Sequence, residues 1–309
     1  MIVHSQSHTH TGSEKPSKSE ISEQMETIKT RLSREFISEP EKLAALLKML
    51  HDLSEFELGR FLIKNKGALS GYWTWYCILG FNTSPINSTL ERFLLDKTPA
   101  VLAMRERFSI FQSLLLENIH AKSVVCSIPC GMMADLLTLK LPNKIGELQF
   151  VGIDLDATVF QLAEGLAEEL NCTVPCIFLQ KNAWELEFKN EFDLITTNGL
   201  NIYEKEDSRV VELYRVLYDA LKPGGKLICS ALTPPPLGTQ TSEWDFSKID
   251  INDLAVSATL FRTLLEATWA NYRSSEKTLA QLTEAGFEKI NIVWDSRKMF
   301  PTFCAQKIT

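Results

Sequence analysis

No stretch of this sequence approaches the roughly 20 consecutive apolar residues that a membrane-spanning helix needs. Met1–Glu20 lacks the apolar centre of a signal peptide. The expectation is a soluble, cytoplasmic chain with no membrane partner. Sustained lysine or arginine blocks are also missing and the net charge is −7, which argues against a phosphate backbone, and so against nucleic acid, as the main partner. A small-molecule substrate is expected instead. Histidine is scarce, and three of the five stand at His4, His8 and His10, in a polar segment with nothing apolar to hold them in a fixed geometry. Residues 1–20 are therefore read as a disordered tail, and no metal site is expected. The seven cysteines are odd in number, and Cys126, Cys229 and Cys304 lie inside strand-like runs, so buried thiols are expected rather than a disulfide framework. There is no internal repeat and nothing that fixes an oligomeric state.

What is present is ample apolar material, 45% of 309 residues, in two distinct rhythms. Residues 21–120 are helical in pattern. Leu43, Leu46, Leu47, Leu50 and Leu53 share a face behind a Ser38-Glu39-Pro40 start signal, and further helices are expected at Ser88–Leu95 and Pro99–Asn118. From Lys122 onward short apolar strands alternate with helices: Ser123–Ile128, Gln149–Ile153, Cys176–Leu179, Phe192–Thr196 and Lys226–Ala231. That is the rhythm of an α/β, doubly wound parallel sheet with helices on both faces. A helix closed by Ala285-Gly286-Phe287 then precedes two strands, Lys289–Trp294 and Met299–Lys307.

The most informative stretch is Glu212–Ala231. Leu213, Val216, Leu217 and Leu221 mark a helical face, Pro223-Gly224-Gly225 is expected to end the helix and reverse the chain, and Leu227-Ile228-Cys229 resumes as a buried strand. The segment resembles the helix, "vLkPGG" turn and fifth strand of class I S-adenosylmethionine-dependent methyltransferases. The resemblance extends from about Lys122 to Lys307. It implies a mostly parallel seven-stranded sheet with an antiparallel C-terminal strand, residues 121–309 forming the cofactor-binding domain with a helical insertion at about 243–273, and 21–120 an N-terminal helical cap.

The resemblance also assigns residues. In an open parallel sheet the ligand lies beyond the carboxyl ends of the strands, so the residues just after each strand matter most. After the first strand, Ser127-Ile128-Pro129-Cys130-Gly131 stands where the family has an acid and three spaced glycines. Gly131 alone of those glycines remains, and Ser127 cannot supply the carboxylate. Ser127, Pro129, Cys130 and Gly131 are expected to form the cofactor turn, with a helix opening near Met132. The second strand ends in Asp154-Leu155-Asp156, and the resemblance gives Asp154 the ribose diol. After the third strand, Asn182-Ala183 stands where the family has an acid and a small residue touching the adenine edge, with Asn182 replacing the acid and Ala183 contributing backbone. After the fourth, Asn198, Asn201 and Tyr203 stand near the transferred methyl. Asn198 and Tyr203 are the candidates for catalytic positioning, and Asn198 counts among the cofactor residues too. Arg105 or Arg107 is a candidate for the cofactor's methionine carboxylate.

Tyr72, Trp73, Trp75 and Tyr76 crowd four aromatics into six positions. Aromatic walls hold flat or cationic molecules, yet the four cannot all face one way, so some must pack as core. Tyr72, Trp73, Tyr203 and Thr233 are the expected substrate-pocket residues, with Thr233-Pro234-Pro235-Pro236 a stiff loop beside the site. The function expected is in-line methyl transfer from S-adenosylmethionine to a small-molecule acceptor, leaving S-adenosylhomocysteine. No histidine stands at a strand end, and no covalent nucleophile is required. Two rivals remain open at this point. One is a degenerate cofactor-binding or interaction protein, suggested by Ser127, Pro129, Met133 and Asn182. The other is a nicotinamide-dependent oxidoreductase, since Asp154 suits any adenosine ribose, although G-x-G-x-x-G is absent.

Overall fold

The computed structural model describes residues 13–83, 85–142, 146–236 and 242–308. His4, His8 and His10 lie outside them. The described chain divides into two compact units, one containing Glu106–Trp244 with Ala270–Thr309, the other Ser13–Arg105 with Asp245–Trp269.

The first unit is built on seven strands: β1 Val124–Ser127, β2 Gln149–Asp154, β3 Cys176–Gln180, β4 Phe192–Thr197, β5 Leu221–Ser230, β6 Glu288–Val293 and β7 Thr302–Gln306. Their order is β3-β2-β1-β4-β5-β7-β6. Strands β1 to β5 run parallel, and β7 runs antiparallel to both β5 and β6. This is the doubly wound, mostly parallel sheet expected. The central strands read as continuous apolar runs because both of their faces are covered. Val125, Ile153, Ile195, Leu227 and Phe303 are all fully buried. Between β4 and β5 lies the helix Asp207–Ala220, whose Val210, Leu213, Tyr214 and Leu217 join the same core as the strand residues.

One local expectation is corrected here. The helix stops at Ala220, and Leu221 already pairs with Phe192. Pro223-Gly224-Gly225 is not a turn outside the strand but a bulge within β5, since the next pairing is Leu194 with Lys226. Gly224 takes φ +79° there, its N–H donates to the Lys307 carbonyl at 2.9 Å, and the Lys307 N–H returns to Gly225 at 2.9 Å. A proline cannot donate within a ladder, and a bulge is where a strand tolerates one.

The second unit is helical: Ser22–Glu35, Pro40–Ser54, Glu57–Lys64, Gly71–Ile78 and Thr89–Asp96, with Ile251–Ala258 from the later segment. Leu46, Leu50 and Leu53 are buried as the spacing predicts, in a cluster that also takes in Phe61, Trp73, Leu260 and Leu264. The 13–20 stretch differs from the expected tail. Trp73 Nε1 donates to the Glu14 carbonyl at 3.1 Å, Lys15 pairs with Glu57 at 2.9 Å and Lys18 with Glu55 at 2.8 Å. Ile21 is fully buried at the end of that stretch and anchors it to the core. No helix among the described residues is long and apolar enough to cross a membrane.

Candidate functional site

The strand ends of the first unit carry the residues that the sequence singles out, and those after β1 and at the end of β2 are in direct contact. The loop after β1 is held on one side by the Cys130 N–H, which donates to the Ile153 carbonyl at 2.8 Å. On the other side, the Gly131 N–H donates to Asp154 Oδ2 at 2.9 Å. Gly131 takes φ +48°, and Met133, two residues on, takes φ +49°. The backbone thus keeps a glycine-like path at a methionine, which is a costlier conformation for a side chain.

Asp154 receives a second backbone N–H, from Asp156 to Oδ1 at 3.0 Å. Each carboxylate oxygen therefore carries one backbone bond and keeps further acceptor capacity. Burial raises the Asp154 pKa above the usual carboxylate value, and the N–H groups of Asp156 and Gly131 oppose the shift. Leu155, next in the chain, leaves its side chain 42% exposed, an apolar surface at the strand end. Gly152, two residues before Asp154, has no room for a side chain, because a Cβ there would lie 2.8 Å from the Phe178 ring and 3.1 Å from Cys130 Sγ.

The surroundings of the other expected residues are as follows. Ser127 is buried and its hydroxyl donates to the Asp135 carboxylate, at 3.0 Å to Oδ2. Cys130 is buried, and burial drives its thiol pKa far up, so it presents no thiolate. Asn182 Oδ1 accepts from the Trp184 N–H at 3.1 Å, which closes a turn, and Ala183 packs into the core. Thr233, expected beside a substrate, is instead fully buried. Its hydroxyl donates to the Lys298 carbonyl at 2.9 Å and accepts from Trp244 Nε1 at 3.1 Å. Asn201 is a packing residue as well, donating to the Tyr214 hydroxyl at 3.0 Å. Asn198 differs from these. It follows β4 directly, and its buried Oδ1 has no hydrogen-bond partner among the described residues. Tyr203 is half-buried at the end of the short helix Leu200–Tyr203. Tyr72 and Trp73 belong to the helical unit, where Trp73 is core and Tyr72 is half-buried.

Two groups carry more than the sequence alone indicates. Asp135, in the short helix Ala134–Leu137, is buried and accepts from Thr196 Oγ1 at 2.7 Å as well as from Ser127. Burial raises its pKa, with the Thr196 and Ser127 hydroxyls opposing. A carboxylate thus stands behind the end of β1 after all, supplied eight positions further along the chain. The sequence signal was an acid just past the glycine turn, although nothing in the spacing shows that it folds back onto Ser127. The second group is Arg107, which is 4% exposed. Its guanidinium lies 4.6 Å from the Phe300 ring centroid and donates to Ser230 Oγ at 3.4 Å, while its Nε has no partner among the described residues. Burial pushes its pKa down to about 10 against the opposing field of Asp295.

A glycine turn after β1, a carboxylate ending β2 and an unpartnered amide after β4 all stand at the carboxyl ends of parallel strands, where open α/β sheets take their ligands. A family model described as a methyltransferase domain matches residues 127–225, from the end of β1 to the bulge in β5. That match and the sheet topology support a class I S-adenosylmethionine-dependent methyltransferase. Among curated proteins it is 26% identical, over 187 residues, to a demethylmenaquinone methyltransferase of Lactiplantibacillus plantarum, covering 57% of this chain and 73% of that one. A solved structure described as a possible exported protein of Bordetella parapertussis is 36% identical with a TM-score of 0.86, covering 94% of this chain and 97% of that one. The magnesium protoporphyrin IX methyltransferase of Synechocystis, solved with S-adenosylhomocysteine bound, shares the fold at 15% identity and a TM-score of 0.50, over 77% of this chain and 94% of that one.

Proposed function

We propose that this methyltransferase-family chain binds S-adenosylmethionine at the strand ends of its sheet and methylates a small-molecule acceptor. The observation that carries the reading is the Asp154–Gly131 hydrogen bond, 2.9 Å, which sets a carboxylate with spare acceptor capacity beside a glycine turn. Asp154 would take the ribose hydroxyls, Leu155 would cover one face of the adenine, and the backbone around Pro129, Cys130 and Gly131 would border the methionine portion. Asn198 would use its unpartnered Oδ1 on the ligand. Arg107 would supply the positive charge for the methionine carboxylate, a pairing suited to a buried guanidinium with a free Nε–H. When bound, S-adenosylmethionine brings an electrophilic methyl group on a sulfonium.

The chain's own contribution to transfer is positioning. His51 and His120, the described histidines, are exposed, and burial raises the pKa values of Cys126, Cys130 and Cys229. Neither a ready general base nor a thiolate nucleophile stands among these residues. Tyr203 and Asn198 are the groups that would orient an acceptor, and alignment alone is worth up to about 7–11 kcal/mol in favourable cases. We place the activity in the cytoplasm, because all seven cysteines are free thiols, which persist best in a reducing compartment.

The test is a transfer assay using methyl-labelled S-adenosylmethionine and a panel of small hydroxyl, amine, thiol and activated-carbon acceptors. Label in a specific product, lost in Asp154→Ala, supports the proposal. Cofactor binding without label transfer to any acceptor would favour the non-catalytic rival.

A further inference from the structure

The helical unit contains a cavity of about 500 Å³ whose lining includes Tyr72, Trp75, Tyr76, Glu57 and Glu91. The rings are packed in sequence around Trp73. Tyr72 meets it edge-on at 5.0 Å, Tyr76 edge-on at 5.3 Å, and Tyr72 lies 5.7 Å from Trp75. Their placement comes from the helix Gly71–Ile78, whose first turn is capped by Ser70. Three and four residues separate Tyr72 from Trp75 and Tyr76, which brings these rings to neighbouring positions on one side, while Trp73 turns into the core.

The carboxylates of this cavity are not equivalent. Glu57 is paired with Lys15 and Glu55 with Lys18. Glu91 is 8% exposed, accepts the Tyr76 hydroxyl at 3.0 Å, and makes no ion pair among the described residues. Burial raises its pKa, the Tyr76 bond opposes this, and the nearby charge of Glu57 adds to the rise. A buried carboxylate without a counter-charge is costly. The Tyr72, Trp75 and Tyr76 rings line the same cavity, and an aromatic face attracts a cation. Lys15 and Arg60 also line the cavity, but Lys15 pairs with Glu57 and Arg60 donates to the Pro16 and Ser54 carbonyls, so among the described residues Glu91 is left as the carboxylate open to an incoming positive charge, while the rings disfavour the oxygen shell that a hard metal ion requires. Among the described residues no cluster of His, Cys, Asp or Glu has metal-binding geometry.

We propose that this cavity is a binding site for a small organic cation of the alkylammonium class, held between the Tyr72, Trp75 and Tyr76 rings and neutralising Glu91. The site is independent of the methyltransferase reading, since all its residues lie in the helical unit.

The test uses the full chain and phenyltrimethylammonium as the probe, followed by tryptophan fluorescence and calorimetry, with neutral tert-butylbenzene as the isostere and potassium chloride as the ionic-strength control. Saturable one-to-one binding is expected for the cation, with affinity at least about tenfold above that for the isostere. Glu91→Gln removes the charge while keeping the shape, and Trp75→Ala removes a wall. Each is expected to weaken binding by about tenfold or more, with folding verified by circular dichroism and thermal melting. Absence of saturable binding, equal binding of the neutral isostere, or unchanged affinity in folded Glu91→Gln would each overturn the proposal. Because the readout is cation binding, its failure is distinguishable from any failure to bind S-adenosylmethionine.

Discussion

Asp154 and Gly131 are joined by a 2.9 Å hydrogen bond from the glycine N–H to the carboxylate Oδ2. One side chain at the end of β2 therefore holds the turn that follows β1, and in the proposed function it also takes the ribose hydroxyls. Asp154→Ala should lose both roles and weaken S-adenosylhomocysteine binding by more than about tenfold. Asp154→Asn should lose less, because its amide oxygen still accepts from Gly131. Calorimetry on the two variants would show the order.

The same carboxylate gives a pH dependence. Its pKa is raised by burial, so it protonates at a higher pH than the ordinary aspartate value of about 3.9. Protonation removes acceptor capacity, so ligand affinity should fall as the pH is lowered through that raised value. Titrations of wild type and Asp154→Asn with S-adenosylhomocysteine between neutral and mildly acid pH should diverge. A wild-type affinity that stays flat relative to Asp154→Asn would disconnect the carboxylate from the ligand.

Arg107 is the cation available at the ends of β4 and β5, with its Nε unpartnered among the described residues. Arg107→Met should weaken S-adenosylhomocysteine binding by about tenfold or more and leave 5′-methylthioadenosine, which lacks the amino-acid end, nearly unaffected. Equal loss for both ligands would mean that the guanidinium supports the fold rather than the carboxylate.

Asp135 ties Ser127 to Thr196 across β1 and β4. Asp135→Ala leaves two buried hydroxyls without their acceptor and should cost about 2 kcal/mol of stability, with Asp135→Asn costing less. Its folded pKa is raised by burial, so the native state takes up the proton before the unfolded chain does. Moving down in pH from the folded value to the unfolded one, wild type should gain stability relative to Asp135→Asn. Urea melts across that window would read the sign.

Gly152 sits 2.8 Å, measured from a notional Cβ, from the Phe178 ring. Gly152→Ala should destabilise the protein by about 1–3 kcal/mol through overpacking, and Phe178→Leu should recover part of the loss. Thermal melts of the single and double variants test the coupling.

The sheet was legible because a buried parallel strand writes itself as an apolar run of fixed length, and Gln149, Cys176 and Phe192 open strands where the pattern starts them. Asp154 was legible for a related reason, as a carboxylate standing where an apolar strand ends. The hydrogen-bond partners of Ser127, Asn182 and Thr233 were not. Each is a short polar side chain whose hydroxyl or amide is used locally or by a distant segment, such as Lys298 for Thr233, and no local spacing encodes that choice. The assignment of Asp245–Trp269 to the helical unit was also hidden, since Leu260 and Leu264 find their core among residues nearly two hundred positions earlier. The end of the helix at Ala220 rather than Pro223 reflects Leu221 pairing with Phe192, a long-range contact that overrides the local turn signal.

The most direct test of the central claim is calorimetric titration of the purified chain with S-adenosylmethionine and S-adenosylhomocysteine, with NAD as the control. Saturable one-to-one binding of the first two, abolished in Asp154→Ala and absent for NAD, is the expected result. A folded protein that binds neither, or that binds NAD equally well, would contradict the cofactor assignment.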